Sequence, residues 1–340
     1  MSRDELSSLL AGEPTYRRDQ VWRALWERGQ WPTEMSELPK DLRNELAEHV
    51  QPALQEVTRS ESTDGGTTKW LWRLADGSLI ETVLMLYPRR ATVCVSSQAG
   101  CAMGCSFCAT GQGGFRRHLT SGEIVEQVVA ARRAALPRRL GNIVFMGMGE
   151  PLANYDRTWG AVERIHAHLG LSARHITVST VGVVPGIRRL AGEALPVNLA
   201  VSLHAARDEL RDRLVPLNRR YPLGVLMDAC ASYLQAKSRR LSFEWALIAG
   251  VNDTARDASE LATRALALPL PAHVNLIPLN PTRGYLGVGT RAAGASAFQE
   301  LLASRGVNAT VRDNRGTDIA AACGQLAGEP MTLEAVQVPN

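Results

Sequence analysis

The chain is short of cysteine, of long apolar runs and of net charge. Six cysteines in 340 residues are too few and too unevenly placed for the disulfide framework of a small secreted protein. No stretch approaches the roughly 20 consecutive apolar residues that a membrane-spanning helix needs. The opening MSRDELSSLLAGEP lacks the apolar run of a secretory signal, so a cytoplasmic location is the expectation. With 38 Lys and Arg against 34 Asp and Glu the formal charge is +4. That permits a nucleic-acid partner without requiring one, because such binding works through local basic patches. Arg-Arg pairs recur along the chain, and most of them read as ordinary solvated faces. No internal sequence repeat is visible.

What is present describes a globular protein, 45% hydrophobic and 21% charged, long enough for one barrel with an appendage or for two domains. The first seventy residues read as helical. YRRDQVWRALW places Tyr16, Val21, Trp22, Leu25 and Trp26 near helical spacing behind Pro14, and LPKDLRNELAEHV follows as a second amphipathic segment. SESTDGGTTK (60–69) is a loop or hairpin turn by composition, and residues 69–86 read as two strands around Asp76-Gly77. From residue 91 short β-branched runs (91–97, 141–147, 175–180, 197–204, 241–248 and 273–279) alternate with helical patterns. Six such units predict a mostly parallel sheet with right-handed crossovers, open or curled into a partial or full barrel. Conspicuous polar residues follow the strands: a cysteine loop, then Gly149-Glu150, Ser179-Thr180, Ser202-Leu203-His204 and Asn280. Strand C-termini of such folds converge on one face, where sites form.

Half of the cysteines fall in CAMGCSFCATG, residues 101–111. Thiolates this close suit zinc or an iron–sulfur cluster. A structural zinc site usually closes with four ligands, and beyond Cys101, Cys105 and Cys108 the nearest is His118, ten residues on. Three thiolates around a cubane would leave one iron open.

A C-x3-C-x2-C loop after the first strand of such an alternating domain resembles the radical S-adenosylmethionine (SAM) superfamily. SSQAGCAMGCSFCATGQGGFRRHLTSGEIVEQV, MGMGEPLANYD, ITVSTVGVVPGI, SLHAARDELRDRLVPLNRRYPL and RGTDIAAACGQLAG are similar in order and distance to the adenosine C2 methyltransferases of ribosomal and transfer RNA, the RlmN type. The resemblance implies a partial (β/α)6 TIM-like barrel of α/β class with an N-terminal helical accessory domain. It divides the chain into an RNA-recognition domain (1–75), a catalytic domain (76–330) and a tail (331–340). It implies a [4Fe–4S] cluster on Cys101, Cys105 and Cys108 and two SAM molecules consumed per methylation. Cofactor contacts would fall on Gly149, Glu150, Ser179, Ser202, Leu203, His204 and Asn280. Implied partners are 23S rRNA, tRNA and a reductant such as flavodoxin or ferredoxin, with the enzyme a monomer.

In that family scheme Cys323 is methylated first, a cofactor-derived radical abstracts hydrogen from the methyl group, and the resulting methylene adds to adenine C2. Glu81 would be the proton acceptor, and Cys94 would resolve the protein–RNA adduct. Without the resemblance, Cys94 reads as a core thiol, Cys323 as an unremarkable one, Glu81 as an edge-strand carboxylate and His204 as a core histidine. STVG carries Val181 where many relatives have a second serine. Cys230, on a helical pattern, reads as a packed thiol. Competing readings are a C8-methylating relative, an iron–sulfur RNA-binding protein without turnover, and a structural zinc protein. The N-terminal 75 residues are not globally basic; Arg17, Arg18, Arg23, Arg116, Arg117 and His118 are candidates for phosphate contact.

Overall fold

Apolar residues at helical spacing fold the N-terminal segment as α1 (Arg3–Leu9), α2 (Thr15–Trp26) and α3 (Lys40–His49). Leu6, Val21, Trp22, Leu42 and Leu46 bury against one another as a cluster of their own. The structure, a computed structural model, describes residues 3–237 and 239–328; the expected tail at 331–340 lies outside them. The helices are tied to the larger body by Arg133, which donates to the Gly29 carbonyl at 2.8 Å and pairs with Glu34. Trp22 also packs edge-on against His168.

The helical reading of the first seventy residues ends early, because β1 (Gln55–Glu61) is a strand. QEVTRSE has no apolar alternation to announce it. It is a largely exposed edge, held by its antiparallel ladder to β2 (Thr67–Arg73) rather than by burial. β2 pairs with β3 (Leu79–Leu86) around the expected Asp76-Gly77 turn, and β3 pairs antiparallel with β4 (Ala91–Cys94). After β4 a small hairpin, β5 (Gln98–Gly100) with β6 (Phe115–His118), frames the cysteine loop and the short α4 (Ala109–Gln112).

The six expected strands then alternate with helices, and a seventh parallel strand that was not expected follows them. α5 (Ser121–Ala135) opens on a capping box in which Thr120 and Glu123 satisfy each other's backbone N–H. It leads to β7 (Leu140–Phe145), α6 (Tyr155–His168), β8 (Ile176–Thr180), α7 (Val184–Gly192) and β9 (Asn198–Ser202). Two helices, α8 (Asp208–Leu214) and α9 (Leu223–Lys237), precede β10 (Leu241–Leu247). Then come α10 (Ala255–Leu266), β11 (His273–Pro278), α11 (Ala292–Ala303) and β12 (Ala309–Val311). The sheet order is β1-β2-β3-β4-β7-β8-β9-β10-β11-β12, parallel from β4 onward. β1 and β12 are its two ends and do not pair with each other among the described residues. The architecture is a partial (β/α)6 barrel extended by an antiparallel meander.

The β-branched runs of the parallel strands bury one face against the helices in one continuous core. Trp245 on β10 is fully buried, tilts against Phe298 and donates from Nε1 to the Asn252 carbonyl at 3.2 Å. Replacing it with Ala removes that packing and leaves a cavity, and should lower the unfolding free energy by about 3–5 kcal/mol in chemical denaturation.

Candidate active site

The cysteine loop is held by backbone geometry before any ligand enters. Gly100 has φ +71°, and a Cβ there would lie 1.9 Å from the Gly114 carbonyl, so only glycine closes this hairpin. The Cys101 N–H donates to that same carbonyl at 2.8 Å. Gly149 (φ +95°) is required for an equally tight approach, its missing Cβ falling 2.4 Å from Cβ of Gln98. Gln98 in turn accepts the Glu150 N–H at 2.8 Å. The glycine before Glu150 therefore docks the β7 end onto β5, the strand that leads into the cysteine loop.

Cys101, Cys105 and Cys108 line one cavity together with Gly149, Glu150, Ser179, Ser202, His204, Asn280 and Cys323. The strand-end residues converge as expected, with one exception. Leu203 does not line the cavity; its side chain is fully buried and its N–H donates to the Glu244 carbonyl at 3.0 Å. The Glu150 carboxylate accepts N–H bonds from Leu152 (3.0 Å) and Val181 (2.9 Å). The hydroxyl missing at Val181 is thus not needed for this contact. Burial pushes the Glu150 carboxyl up to about 7. His204 has φ +59°, and its Nδ1 accepts the Ala246 N–H at 2.9 Å. Burial, then Arg211, pushes its pKa down to about 3, so it is a neutral imidazole fixed in one tautomer.

Burial pushes the Cys101 thiol up to about 12 and Cys105 well above the ordinary thiol value. Bound metal reverses that preference by deprotonating the thiols that coordinate it. No three His, Cys, Asp or Glu side chains among the described residues are gathered to hold a single metal ion. Converging ligands are what a zinc site needs; an iron–sulfur cubane takes its thiolates at separate irons. Three thiols that share a cavity with polar strand ends make a donor set that fits a cluster with one iron left free.

A second and larger cavity, 670 Å³, occupies the barrel interior toward the strand N-termini. Cys94 lines it, and Met146, Glu244, Ile277 and Cys323 line both cavities. Cys323 is therefore on the wall between them. Its thiol is exposed to these spaces yet ringed by protein, and burial, followed by Glu244, pushes it up to about 11 against the pull of Arg312. Cys94 is raised further, by burial and then by the adjacent Cys323. Glu81 is not in either lining. It is buried in an ion pair with Lys69 at 2.9 Å, and its other oxygen accepts the N–H groups of Ala327 and Gly328.

Residues 95–262 match the Radical SAM superfamily. A probable dual-specificity RNA methyltransferase RlmN of Frankia alni is 53% identical over 97% of this chain and 82% of its own length. The corresponding RlmN 1 of Myxococcus xanthus is 52% identical over 96% and 92%. A radical SAM methyltransferase from Sphaerobacter thermophilus superposes with a TM-score of 0.93 at 50% identity, over 97% of this chain and 98% of its own. The chain belongs to the RlmN-type radical SAM methyltransferases. Its cofactors are a [4Fe–4S] cluster and S-adenosylmethionine. No helix among the described residues is long and apolar enough to cross a membrane.

Some expected contacts are committed elsewhere. Arg18 donates to the carbonyls of Leu10, Ala11 and Glu13, and Arg117 pairs with Asp76 and Glu123. Arg23 and Arg116 are exposed. Cys230 is fully buried in α9.

One structural residue escaped the sequence. Arg211 looks like a solvated helix arginine, yet it is 1% exposed and donates to the carbonyls of Leu203 (3.0 Å), Val181 (2.6 Å) and Ser202 (3.2 Å). It pins together the ends of β8 and β9; only the helical register of α8, pointing Arg211 inward, could have signalled it. Arg211→Met leaves those carbonyls without their donor and should cost at least about 3 kcal/mol in chemical denaturation.

His204 supplies a pH dependence with a definite sign. Its folded pKa is far below the ordinary 6.5, so between those values the unfolded chain binds a proton that the fold refuses. Stability falls as pH drops through this window. His204→Gln, which keeps an acceptor for Ala246, should flatten that part of a pH-stability curve.

Proposed function

We propose that this protein methylates C2 of adenine in RNA, at adenine 2503 of 23S rRNA and adenine 37 of tRNA, with Cys323 as the methyl carrier and Cys94 as the resolving thiol. The observation that carries this reading is the position of Cys323 on the wall shared by two cavities, with Cys94 in the larger one. A residue that collects carbon on one side and delivers it on the other needs that placement.

In this reading Cys101, Cys105 and Cys108 hold the cluster. Gly149, Glu150, Ser179, Ser202, His204 and Asn280 surround the cofactor, and Leu203 contributes only through its backbone. Bound there, the cluster and SAM supply the methyl group and the one-electron chemistry that activates it. The chain's own residues position and seal the site. Asn280 Nδ2 donates to the Cys323 carbonyl at 3.0 Å, which fixes the thiol-bearing turn beside the cofactor cavity. Cys323 gives up its proton to become a nucleophile, and Cys94 must do the same to attack the adduct. Glu81 accepts a proton in this scheme once it leaves its present partners.

The RNA side is supported by charge. Arg90, Arg174, Arg239, Arg240, Arg312 and Arg315 line the larger cavity, against only two carboxylates, Glu244 and Asp313. An adenine entering there must leave its stack, which favours loop nucleotides. The helices of the N-terminal segment would add recognition of RNA shape. A cytoplasmic monomer drawing electrons from a flavodoxin or ferredoxin completes the proposal.

Mass spectrometry of nucleosides from RNA treated with the reconstituted enzyme should show 2-methyladenosine. A C8 product, or no product, overturns the assignment. Cys323→Ala should abolish RNA methylation while iron content and cluster absorbance survive, and persistent methylation would remove the carrier role. Arg174→Ala with Arg240→Ala should weaken RNA binding and reduce the slope of log affinity against log salt by about 2. An unchanged slope means that RNA does not cross this face.

A further inference from the structure

We propose that the buried Lys69–Glu81 pair is a clasp on the loop carrying Cys323, making Lys69 a positioning residue for that thiol. The pair grips the loop on both flanks. Lys69 Nζ donates to the Ala320 carbonyl at 3.1 Å, three residues before Cys323. Oε2 of Glu81 accepts from the N–H groups of Ala327 at 2.8 Å and Gly328 at 3.1 Å, four and five residues after it. Oε1 of Glu81 closes the clasp on Lys69 at 2.9 Å, with the two side chains only 8% and 2% exposed.

A buried ion pair is a poor source of stability, since desolvation consumes most of its attraction. Its worth here lies in the geometry it imposes. Between the two gripped flanks the loop is tied to the cofactor side instead. The Ala109 N–H donates to the Gly324 carbonyl at 2.8 Å, and Thr110 Oγ1 donates to the Leu326 carbonyl at 2.5 Å. Cys323 is thus suspended between the β2–β3 ladder and the residues that follow Cys108.

The clasp also seals its own carboxylate. The β2–β3 register sets Lys69 opposite Val83, so Lys69, Glu81, Val83 and Met85 share one sheet face. Val83 and Met85 line the large cavity, whereas Lys69 and Glu81 do not, because the loop lies over them. When residues 320–328 lift, Glu81 loses two donors and opens onto that cavity. The same motion that carries Cys323 away from the cofactor side thereby frees a carboxylate where an adenine would sit.

The clasp stands on contacts alone; its consequence for turnover rests on the carrier role proposed for Cys323. The full-length protein without its cluster, compared with Lys69→Met/Glu81→Gln, which removes both charges together, tests it by hydrogen exchange. Amides of 320–328 should exchange about tenfold faster in the double variant, with the parallel strands unchanged. A bulky maleimide should label Cys323 correspondingly faster, and Lys69→Arg should restore slow labelling. In the reconstituted enzyme, methylation of Cys323 should fall about tenfold while SAM affinity holds. Unchanged exchange and labelling overturn the clasp, as does loss of protection throughout the sheet, which would make the pair a general fold determinant. If exchange behaves as expected but wild-type Cys323 is never methylated, the clasp stands and the carrier reading fails.

Discussion

A sheet that curls without closing leaves a gap between its first and last strands. Here the chain itself crosses that gap: after β12, residues 312–328 run from the last strands to the β1–β3 meander. Arg312 donates its N–H to the Leu276 carbonyl, Arg315 reaches the Leu86 carbonyl, and Asp318 accepts from Thr63. The crossing is therefore fastened at both ends of the sheet, and Cys323 lies within it. The placement of that thiol is a by-product of how the open barrel is bridged.

The same logic holds on the cofactor side. The cysteine loop is shaped by Gly100 and Gly149, the strand ends by Arg211, and the histidine by Asn252, whose Nδ2 donates to the His204 carbonyl at 2.8 Å. Apart from Gly149, which also lines the cavity, none of these groups faces it. They consume backbone carbonyls and N–H groups that would otherwise be buried and unpaired, and they leave thiols, serines and two carboxylates, Glu150 and Glu244, facing the cavity. Preorganisation of this sort lets a cofactor bind without first ordering the site.

Much of this was legible from residues alone, and the failures have physical causes. Six of the seven parallel strands among the described residues announce themselves as β-branched runs, whereas β12, three residues long and only partly buried, does not. Strand-end polar residues are visible for the same reason: they interrupt those runs. β1 is invisible because an exposed edge strand has no burial pattern to read. Arg211 and Lys69 are invisible because a charged residue reads as surface unless its partners are known, and those partners lie in other elements. Glu81 shows the limit of resemblance. A likeness to a family names a chemical role, whereas the hydrogen bonds to Ala327 and Gly328 show what occupies the carboxylate in this conformation.

The wall between the cavities bears on containment. It is built from Met146, Ile277, Glu244 and Cys323, two hydrocarbon-rich side chains, one engaged carboxylate and one thiol. On the carrier role proposed above, chemistry generated beside the cluster would meet this wall before it could meet nucleic acid, and Cys323 would be the one group on it able to carry carbon across. The partition would then act as containment, confining the reactive side to a single exit.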